Sequence, residues 1–306
     1  MSTLLKMLLL MLCCSQTVLA FEPGLAGFGL SVNGSRVPFN IFSISLMPGE
    51  TAELKLEQAG TVSASGGKLE GSEKRWRWRA PASSGHHTLR INAKGSTVSL
   101  NVFVLRPASN IKNGFLGEYR MGEYQSQPLK GLASYQKPRG FIEVSKELAE
   151  LQVSPHFTLG EFLCKQASGW PKYLILSEKL LVKLELALQL FEKNGIDTSG
   201  VVVMSGYRTP WYNQSIGNST KYSRHLYGGA ADIYIDSAPR DGRMDDVNKD
   251  GKRDQNDAKY LYQLVDGWLS EDEDTADLRG GLSHYRANAA HGPFLHIDTR
   301  GHRARW

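Results

Sequence analysis

The hydrophobic pattern changes its period along the chain, and this change constrains the fold more than any other feature. In the first third, apolar and polar residues alternate in short runs such as 52–56 and 98–104, as in half-buried strands separated by turns. Over residues 177–194, leucines instead recur every three or four positions, as on one face of a helix. The pattern predicts a small all-β, sandwich-like domain over residues 21–106, followed by an α+β domain over residues 154–306.

Residues 107–153 form a connector between these two parts. Glycine, proline and tyrosine recur in it, and its aromatic residues include Tyr119, Tyr124 and Tyr135. This segment is too aromatic for a flexible linker. We expect it to lie on the surface of the α+β domain.

The α+β domain begins with a predicted short helix from Thr158 to Gln166. Thr158 is its expected N-cap, and Glu161 stands at the capping-box position. The predicted strands of this domain are residues 201–204, which we expect to be buried, 230–235 and 294–298.

Residues 1–20 are typical of a cleaved export signal. Lys6 precedes an apolar run over residues 7–13, and Val18 and Ala20 are the small residues that a signal peptidase requires. The apolar run is too short to span about 30 Å of hydrocarbon. We expect an exported protein, periplasmic or extracellular, with no stable membrane insertion after cleavage.

The cysteine content indicates whether disulfides stabilise the fold, and the charge indicates whether the chain binds nucleic acid. Cleavage would remove Cys13 and Cys14, leaving Cys164 in an apolar context. This excludes a disulfide scaffold and favours a buried thiol.

The net charge is +5, but acidic residues are scattered among the basic ones, so no basic stripe marks a nucleic-acid surface. We therefore expect no nucleic-acid partner.

The run from Ser223 to Asp232 carries the most informative pattern. It places His225 and Asp232 seven positions apart across a glycine-rich turn, and a later predicted strand adds His296. Two imidazoles and one carboxylate around an open fourth position are typical of catalytic zinc. Such a zinc lowers the pKa of its bound water to about 7 and polarises a scissile carbonyl. The pattern therefore predicts a hydrolytic zinc site.

Two further motifs extend this pattern. A Ser-Gly-Tyr-Arg motif ends at Arg208, before the Ser-x-His-x-x-Gly-x-Ala-x-Asp element, and a His-Ile-Asp motif ends at Asp298. In this order the motifs resemble the D-alanyl-D-alanine metallopeptidase family of zinc D,D-carboxypeptidases, D,D-dipeptidases and murein endopeptidases. The resemblance covers about residues 155–306, including Gly280-Gly281 and Arg305-Trp306. It implies a hedgehog- and lysostaphin-like metal site on a small antiparallel sheet with flanking helices.

The resemblance also implies roles for individual residues. His225, Asp232 and His296 match the family's zinc ligands, so Zn²⁺ is the implied cofactor. Arg208 matches the arginine that contacts the substrate and the developing oxyanion, a role that suits its forked donors. Ser223 would support the site from behind the ligands.

The general base does not follow from the resemblance. Many relatives carry a His two residues, or a Glu three residues, before the last ligand, where this chain has Phe294 and Pro293. Asp298 would share a strand face with the last ligand, so we expect it to act as the base or to orient that ligand. His291 and His284 are alternatives. Loss of the base would leave a zinc-binding but inactive module.

An insertion over residues 246–257 resembles an EF-hand or dockerin calcium loop. Gly251 occupies loop position 6, and a helix is predicted directly after the loop, over residues 258–269. A solvated acidic loop is the alternative. The candidate Ca²⁺ ligands are Asp246, Asn248, Asp250, Asp254 and Asp257, together with the backbone carbonyl of Lys252.

These observations favour an exported zinc peptidase that acts on the stem peptides of peptidoglycan. Both the removal of a terminal D-alanine and the cutting of a cross-link fit the motifs. A catalytically inactive peptidoglycan-binding protein is the alternative hypothesis, and a zinc hydrolase for another amide is a third.

Overall fold

The computed structural model describes residues 24–271 and 273–306. The predicted signal peptide over residues 1–20 lies outside the described residues. Among the helices that are described, none combines the length and the apolar character that a membrane span requires.

Residues 24–104 contain strands that form two sheets. One sheet has the order β2-β1-β4-β7-β6 and is antiparallel throughout, and the other has the order β3-β9-β8-β5 with one parallel pair, β3 and β9. The strands are β1 (Leu30–Val32), β2 (Ser35–Arg36), β3 (Ile41–Leu46), β4 (Thr51–Leu56), β5 (Thr61–Ala64), β6 (Lys68–Ser72), β7 (Arg75–Arg79), β8 (Gly85–Ala93) and β9 (Ser96–Val104).

The alternating pattern predicts the burial within these strands well. In β4, Ala52, Leu54 and Leu56 are buried, whereas Glu53 and Lys55 are exposed. The two sheets meet at Trp78 of β7, which is fully buried and whose ring lies 5.6 Å from that of His87 in β8. The all-β character predicted for this part is therefore present, while its classification as a sandwich domain stays a prediction.

The connector adds short strands and contacts the α+β part. β10 and β13 form one small antiparallel sheet with β14, which belongs to the α+β part, and β11 and β12 form a hairpin. Tyr119, Tyr124 and Tyr135 are buried, and the Tyr124 hydroxyl lies 2.6 Å from that of Tyr207. The strands are β10 (Arg106–Pro107), β11 (Phe115–Leu116), β12 (Tyr119–Arg120), β13 (Gly140–Val144) and β14 (Lys172–Leu174).

A five-stranded sheet organises the rest of the chain. Its order is β15-β16-β18-β17-β19, antiparallel except for the pair of β17 and β19. Helix α3 packs on β17 and β18, and α1 packs on α3. The elements are α1 (Glu178–Lys193), β15 (Val201–Ser205), α2 (Pro210–Ser215), β16 (Ala230–Ile235), α3 (Gln255–Glu271), β17 (Gly281–Tyr285), β18 (Phe294–Asp298) and β19 (Ala304–Arg305).

The structure corrects several local predictions. The helix predicted over residues 158–166 is a single 3₁₀ turn, Leu159–Phe162, because Leu163 is already extended. The predicted capping box of Thr158 and Glu161 is present. β15 is only partly buried because it lies at an edge of the sheet. The hydrophobic pattern does not predict β17 and β19.

Candidate metal centre

His225 lies in a tight turn that fixes the direction of its ring. The 3₁₀ turn Arg224–Tyr227 ends at Gly228, whose φ of +62° is left-handed and whose added Cβ would lie 2.2 Å from the Ile175 carbonyl oxygen. Only glycine fits such a position. The His225 Nδ1 lies 2.7 Å from the Gly206 carbonyl oxygen and therefore donates to it. This contact leaves Nε2 as the ligand atom, 3.3 Å from Asp232 Oδ1.

Asp232 and His296 meet because their strands are paired. Asp232 of β16 stands directly opposite His296 of β18 in the antiparallel register. Directly opposed side chains lie on the same face of a sheet, and the His296 Nδ1 lies 2.7 Å from Asp232 Oδ1. Strand pairing therefore joins two ligands that are 64 positions apart in the sequence.

The three predicted zinc ligands form one buried cluster. Their ligand atoms all lie within 4.8 Å of one another, and each residue is at most 6% exposed. In the described part of the chain, no other group of three or more His, Cys, Asp or Glu residues converges in this way. Two imidazole nitrogens and a carboxylate oxygen are a donor set that zinc accepts. The residues present therefore fit a zinc ion.

The electrostatics of the cluster keep its carboxylate ionised. Burial alone would raise the pKa of Asp232, but the charges and hydrogen bonds of His225 and His296 outweigh it and hold that pKa far below its usual range. Burial lowers the pKa of His225, which favours its neutral, ligating form. For His296, hydrogen bonds to Asp232 and Asp298 outweigh burial and raise the pKa to about 9. Without a metal, a protonated His296 would donate to both carboxylates, from Nδ1 to Asp232 and from Nε2 to Asp298.

Arg208 binds the Asp232 carboxylate through Oδ2, whereas the two histidines contact Oδ1. Its Nη2 donates to Asp232 Oδ2 at 2.8 Å, and its Nε donates to Ser205 Oγ at 2.8 Å. Within the described residues, Nη1 has no protein partner, and the side chain lines the cleft beside the cluster. Arg208 therefore lies beside the cluster with one donor group available, and its contact with substrate stays a prediction.

Asp298 is held behind His296 by several contacts. Its Oδ2 lies 3.2 Å from His296 Nε2, and it accepts hydrogen bonds from the Arg300 guanidinium and from the backbone N–H of Gly281. Lys183 of α1, also fully buried, donates to the Asp298 backbone carbonyl at 2.8 Å. Burial would raise the Asp298 pKa, but His296 and Arg300 hold it far below the usual range. These contacts hold the Asp298 carboxylate against the His296 ring, and its role as base or orienting residue stays a prediction.

A cleft of about 970 Å³ opens onto the cluster. Ser223 and His291 are among the residues that line it. Ser223 makes no side-chain hydrogen bond to the three ligands in the described part of the chain, so its supporting role stays a prediction. His284 does not line this cleft, and its Nδ1 instead contacts Gln255 of α3 at 3.1 Å.

The sequence pattern does not predict several residues around the cleft. Leu129 and Tyr135 of the connector line it, and Arg224 beside His225 donates to the Ser134 carbonyl oxygen. Arg300 and Lys183 were not singled out either. The one local signal was the position of Arg300, two residues after Asp298. The others depend on contacts between distant segments, which sequence spacing does not reveal.

The carboxylates of the predicted calcium loop do not form a compact cluster. The carboxylates of Asp246, Asp250, Asp254 and Asp257 do not form a group of three within 4.8 Å. They accept hydrogen bonds from backbone N–H groups of the loop instead, as Asp246 does from Asp250 and Gly251 at 3.0 and 2.8 Å. The geometry therefore does not support a preformed Ca²⁺ site.

A comparison with known protein families supports the interpretation of this cluster as a metal centre. A family model described as Peptidase M15 matches residues 155–253. This stretch contains Arg208, His225 and Asp232 but ends before His296, which the structure brings to the same cluster. A search of curated proteins gave no match, and neither did a search of solved structures. The match over residues 155–253 supports the resemblance of this part of the chain to the D-alanyl-D-alanine metallopeptidase family.

Proposed function

We propose that this protein is an exported zinc-dependent peptidase that cleaves peptide bonds involving D-amino acids in peptidoglycan. One observation carries the proposal: the buried cluster of His225, Asp232 and His296 faces a wide cleft, and two of these ligands lie in the region matched by Peptidase M15. The export signal predicted over residues 1–20 would deliver the protein to this substrate.

The residues around the cluster would have separate roles in the reaction. A zinc ion held by His225 Nε2, Asp232 Oδ1 and His296 Nδ1 would supply a water of lowered pKa and polarise the scissile carbonyl. Arg208 would use its available Nη1 to bind the carbonyl oxygen as negative charge develops there. Its bonds to Asp232 and Ser205 hold the guanidinium in place before substrate arrives.

The contacts of Asp298 favour the orienting role over that of the base. A fully buried carboxylate bound to Arg300, Gly281 and His296 has no open path to a proton in the cleft. We propose His291 as the base, because it lines the cleft. Its Nδ1 lies 2.8 Å from the Gly292 carbonyl oxygen, and its Nε2 contacts the Asn288 side-chain amide at 2.8 Å. The Asn288 contact must open before Nε2 can accept a proton.

The second candidate function is a peptidoglycan-binding protein without catalysis. One observation favours it, namely that Phe294 and Pro293 occupy the positions where many relatives carry the base. Such a protein would bind zinc and stem peptides but release no product.

A digest of purified cross-linked muropeptides tests the proposal and separates the candidates. The mature protein with zinc is expected to release new products that mass spectrometry identifies, and a chelator should stop the reaction. The His225→Ala variant is the matched control. Loss of one D-alanine from pentapeptides would identify a carboxypeptidase, whereas conversion of dimers to monomers would identify an endopeptidase. Binding of muropeptides without any product would instead support the inactive wall-binding protein.

A further inference from the structure

The sheet β2-β1-β4-β7-β6 carries basic side chains on its outer surface. Residues alternate along β7: Trp76 is half-buried and Trp78 is buried, whereas Arg75, Arg77 and Arg79 are exposed. Because successive side chains of a strand point to opposite faces of the sheet, the two tryptophans pack toward the core. The three arginines therefore lie together on the outer face.

Strand register brings further cations to the same face. Arg75 stands opposite Lys55 of β4, which stands opposite a serine of β1 that in turn faces Arg36 of β2. Near the other end of β7, Arg79 stands opposite Lys68 of β6. Directly opposed residues lie on the same face of a sheet. The basic face therefore consists of Arg36, Lys55, Lys68, Arg75, Arg77 and Arg79.

Acidic residues neutralise only part of this face. Glu53 and Glu70 stand opposite Arg77 on its two sides. Glu53 forms an ion pair with Arg77 at 2.6 Å, and Glu70 forms one with Lys68 at 2.8 Å. The other four cations of the face form no ion pair with any residue that the structure describes. The loops after β4 and β6 add two glutamates and one lysine, so cations still outnumber anions here.

The other sheet of the β-rich region differs in charge and in contacts. Its strands, β3, β5, β8 and β9, contain a single lysine or arginine, Arg90. Ser43 of β3 donates to the Val153 carbonyl oxygen and Asn101 of β9 to the Gln152 carbonyl oxygen, both at 2.9 Å. This sheet therefore packs against the end of the connector. The basic face lies on the opposite side of the β-rich region, where a partner can reach it.

The basic face is broad and flat. Five strands spaced by about 4.8 Å give it a width of roughly 20 Å. Its six cations line none of the larger clefts of the described chain. The large apolar side chains that are exposed among the described residues, such as Trp170, lie on other elements. A flat array of cations without an apolar anchor suits a planar layer of phosphate groups better than a single chain held in a groove.

We infer that the basic face binds the surface of a lipid bilayer that contains anionic lipids. Binding is electrostatic and peripheral, because the face offers charge but no apolar side chain that could enter the hydrocarbon. This inference goes beyond the proposed function and does not depend on it, since it needs neither a metal nor a peptide substrate. One basic residue near an anionic membrane strengthens binding about fivefold.

Sedimentation with lipid vesicles tests the inference on the mature protein. The vesicles contain phosphatidylcholine alone or an equimolar mixture with phosphatidylglycerol. We expect the wild type to bind the mixed vesicles and to be released when salt rises from about 0.1 M to about 1 M, because the screening length falls from about 10 Å to about 3 Å. The face variant, Arg36→Gln with Lys55→Gln and Arg75→Gln, should bind about a hundredfold more weakly.

A control variant removes the same charge elsewhere. It combines Arg90→Gln, Lys137→Gln and Lys146→Gln, all at exposed cations outside the basic face, and it should bind as the wild type does. Circular dichroism shows whether each variant is folded. A charge-conserving double variant, Arg36→Lys with Arg75→Lys, should also retain wild-type binding.

Three results would overturn the inference. They are equal binding of the wild type to both kinds of vesicle, an equal loss of binding in the face and control variants, and binding to soluble polyphosphate but not to vesicles. In the last case the basic face would bind a flexible polyanion instead of a membrane.

Discussion

The sequence contains two candidate metal sites, but only one of them forms a compact cluster of ligand atoms. His225, Asp232 and His296 lie on different elements, and their ligand atoms come within 4.8 Å of one another. The carboxylates of the loop over residues 246–257 lie close together in the sequence, yet no three of them meet within this distance.

The difference follows from what surrounds the carboxylates. Asp232 is buried between two histidines and bound by Arg208, so cationic and N–H groups stabilise its charge. In the loop, Asp257 is also buried, and its pKa is raised, first by burial and further by the charges of Asp246 and Asp250. Opposite charges hold the ligands of the cluster together without a metal ion. In the loop, the like charges of the carboxylates repel one another as long as no cation is bound.

The largest expected effect comes from removing a ligand of the compact cluster. His225→Ala should abolish zinc binding, because the remaining aspartate and histidine cannot complete a three-ligand site. Elemental analysis should then find about one zinc per wild-type chain and none in the variant, with no remaining activity. Circular dichroism should show that the β-rich region stays folded. Full zinc occupancy in the variant would show that this cluster is not the metal site.

The proposed base is expected to have the next largest effect. His291→Ala should reduce kcat by about 10²–10⁴-fold with zinc retained, since positioned proton transfer contributes that much. His284→Ala is the matched control, because His284 contacts Gln255 and does not line the cleft. Equal rates for wild type and His291→Ala would remove His291 from the mechanism.

Arg208→Lys tests whether the arginine beside Asp232 acts on the substrate. Lysine keeps the charge but lacks the planar fork that binds Asp232 and Ser205 and that would bind a substrate oxygen at the same time. We expect kcat to fall by about 10²–10³-fold with zinc content unchanged. Arg286→Lys is the control, because Arg286 is an exposed cation of the same cleft. Kinetics unchanged from wild type would place Arg208 outside the substrate pocket.

Asp298→Asn separates an orienting residue from a base. Asparagine keeps the shape of Asp298 but weakens the contact with His296, so zinc affinity should fall by about 10–100-fold. Competition with a fluorescent chelator measures this change. If zinc affinity stayed normal while the rate at saturating zinc fell a hundredfold or more, Asp298 would be the base after all.

Calcium should have the smallest effect. The loop over residues 246–257 must rearrange to bind the ion, so we expect a weak site with a Kd of about 10⁻³ M. At tenfold excess over that Kd, calcium would stabilise the protein by about 1.4 kcal/mol. Differential scanning fluorimetry with calcium or a calcium-selective chelator measures the shift, and Asp250→Ala should remove it without loss of zinc. Identical melting temperatures in both conditions would identify a solvated acidic loop.

Much of the metal centre could be predicted because its residue types and local turns are encoded over short distances. The motif around His225 and Asp232 contains its own turn, with Gly228 in a left-handed conformation. The histidine of β18 followed from the resemblance. The role of Asp298 did not follow, since it depends on whether Arg300 and the Gly281 N–H occupy its oxygens.

The sequence by itself determined the local elements and the chemistry of the ligands. Residues a few positions apart determine the apolar face of α1, the alternation of apolar and polar residues in β4, and the ligand types. Periodicity and turn chemistry act directly over such short distances. Only the tertiary structure decided which nitrogen of His296 faces Asp232, how Lys183 supports Asp298 across 115 positions, and that the connector and Trp306 line the cleft. These features arise from strand register and long-range packing, because such contacts form only when distant segments fold together.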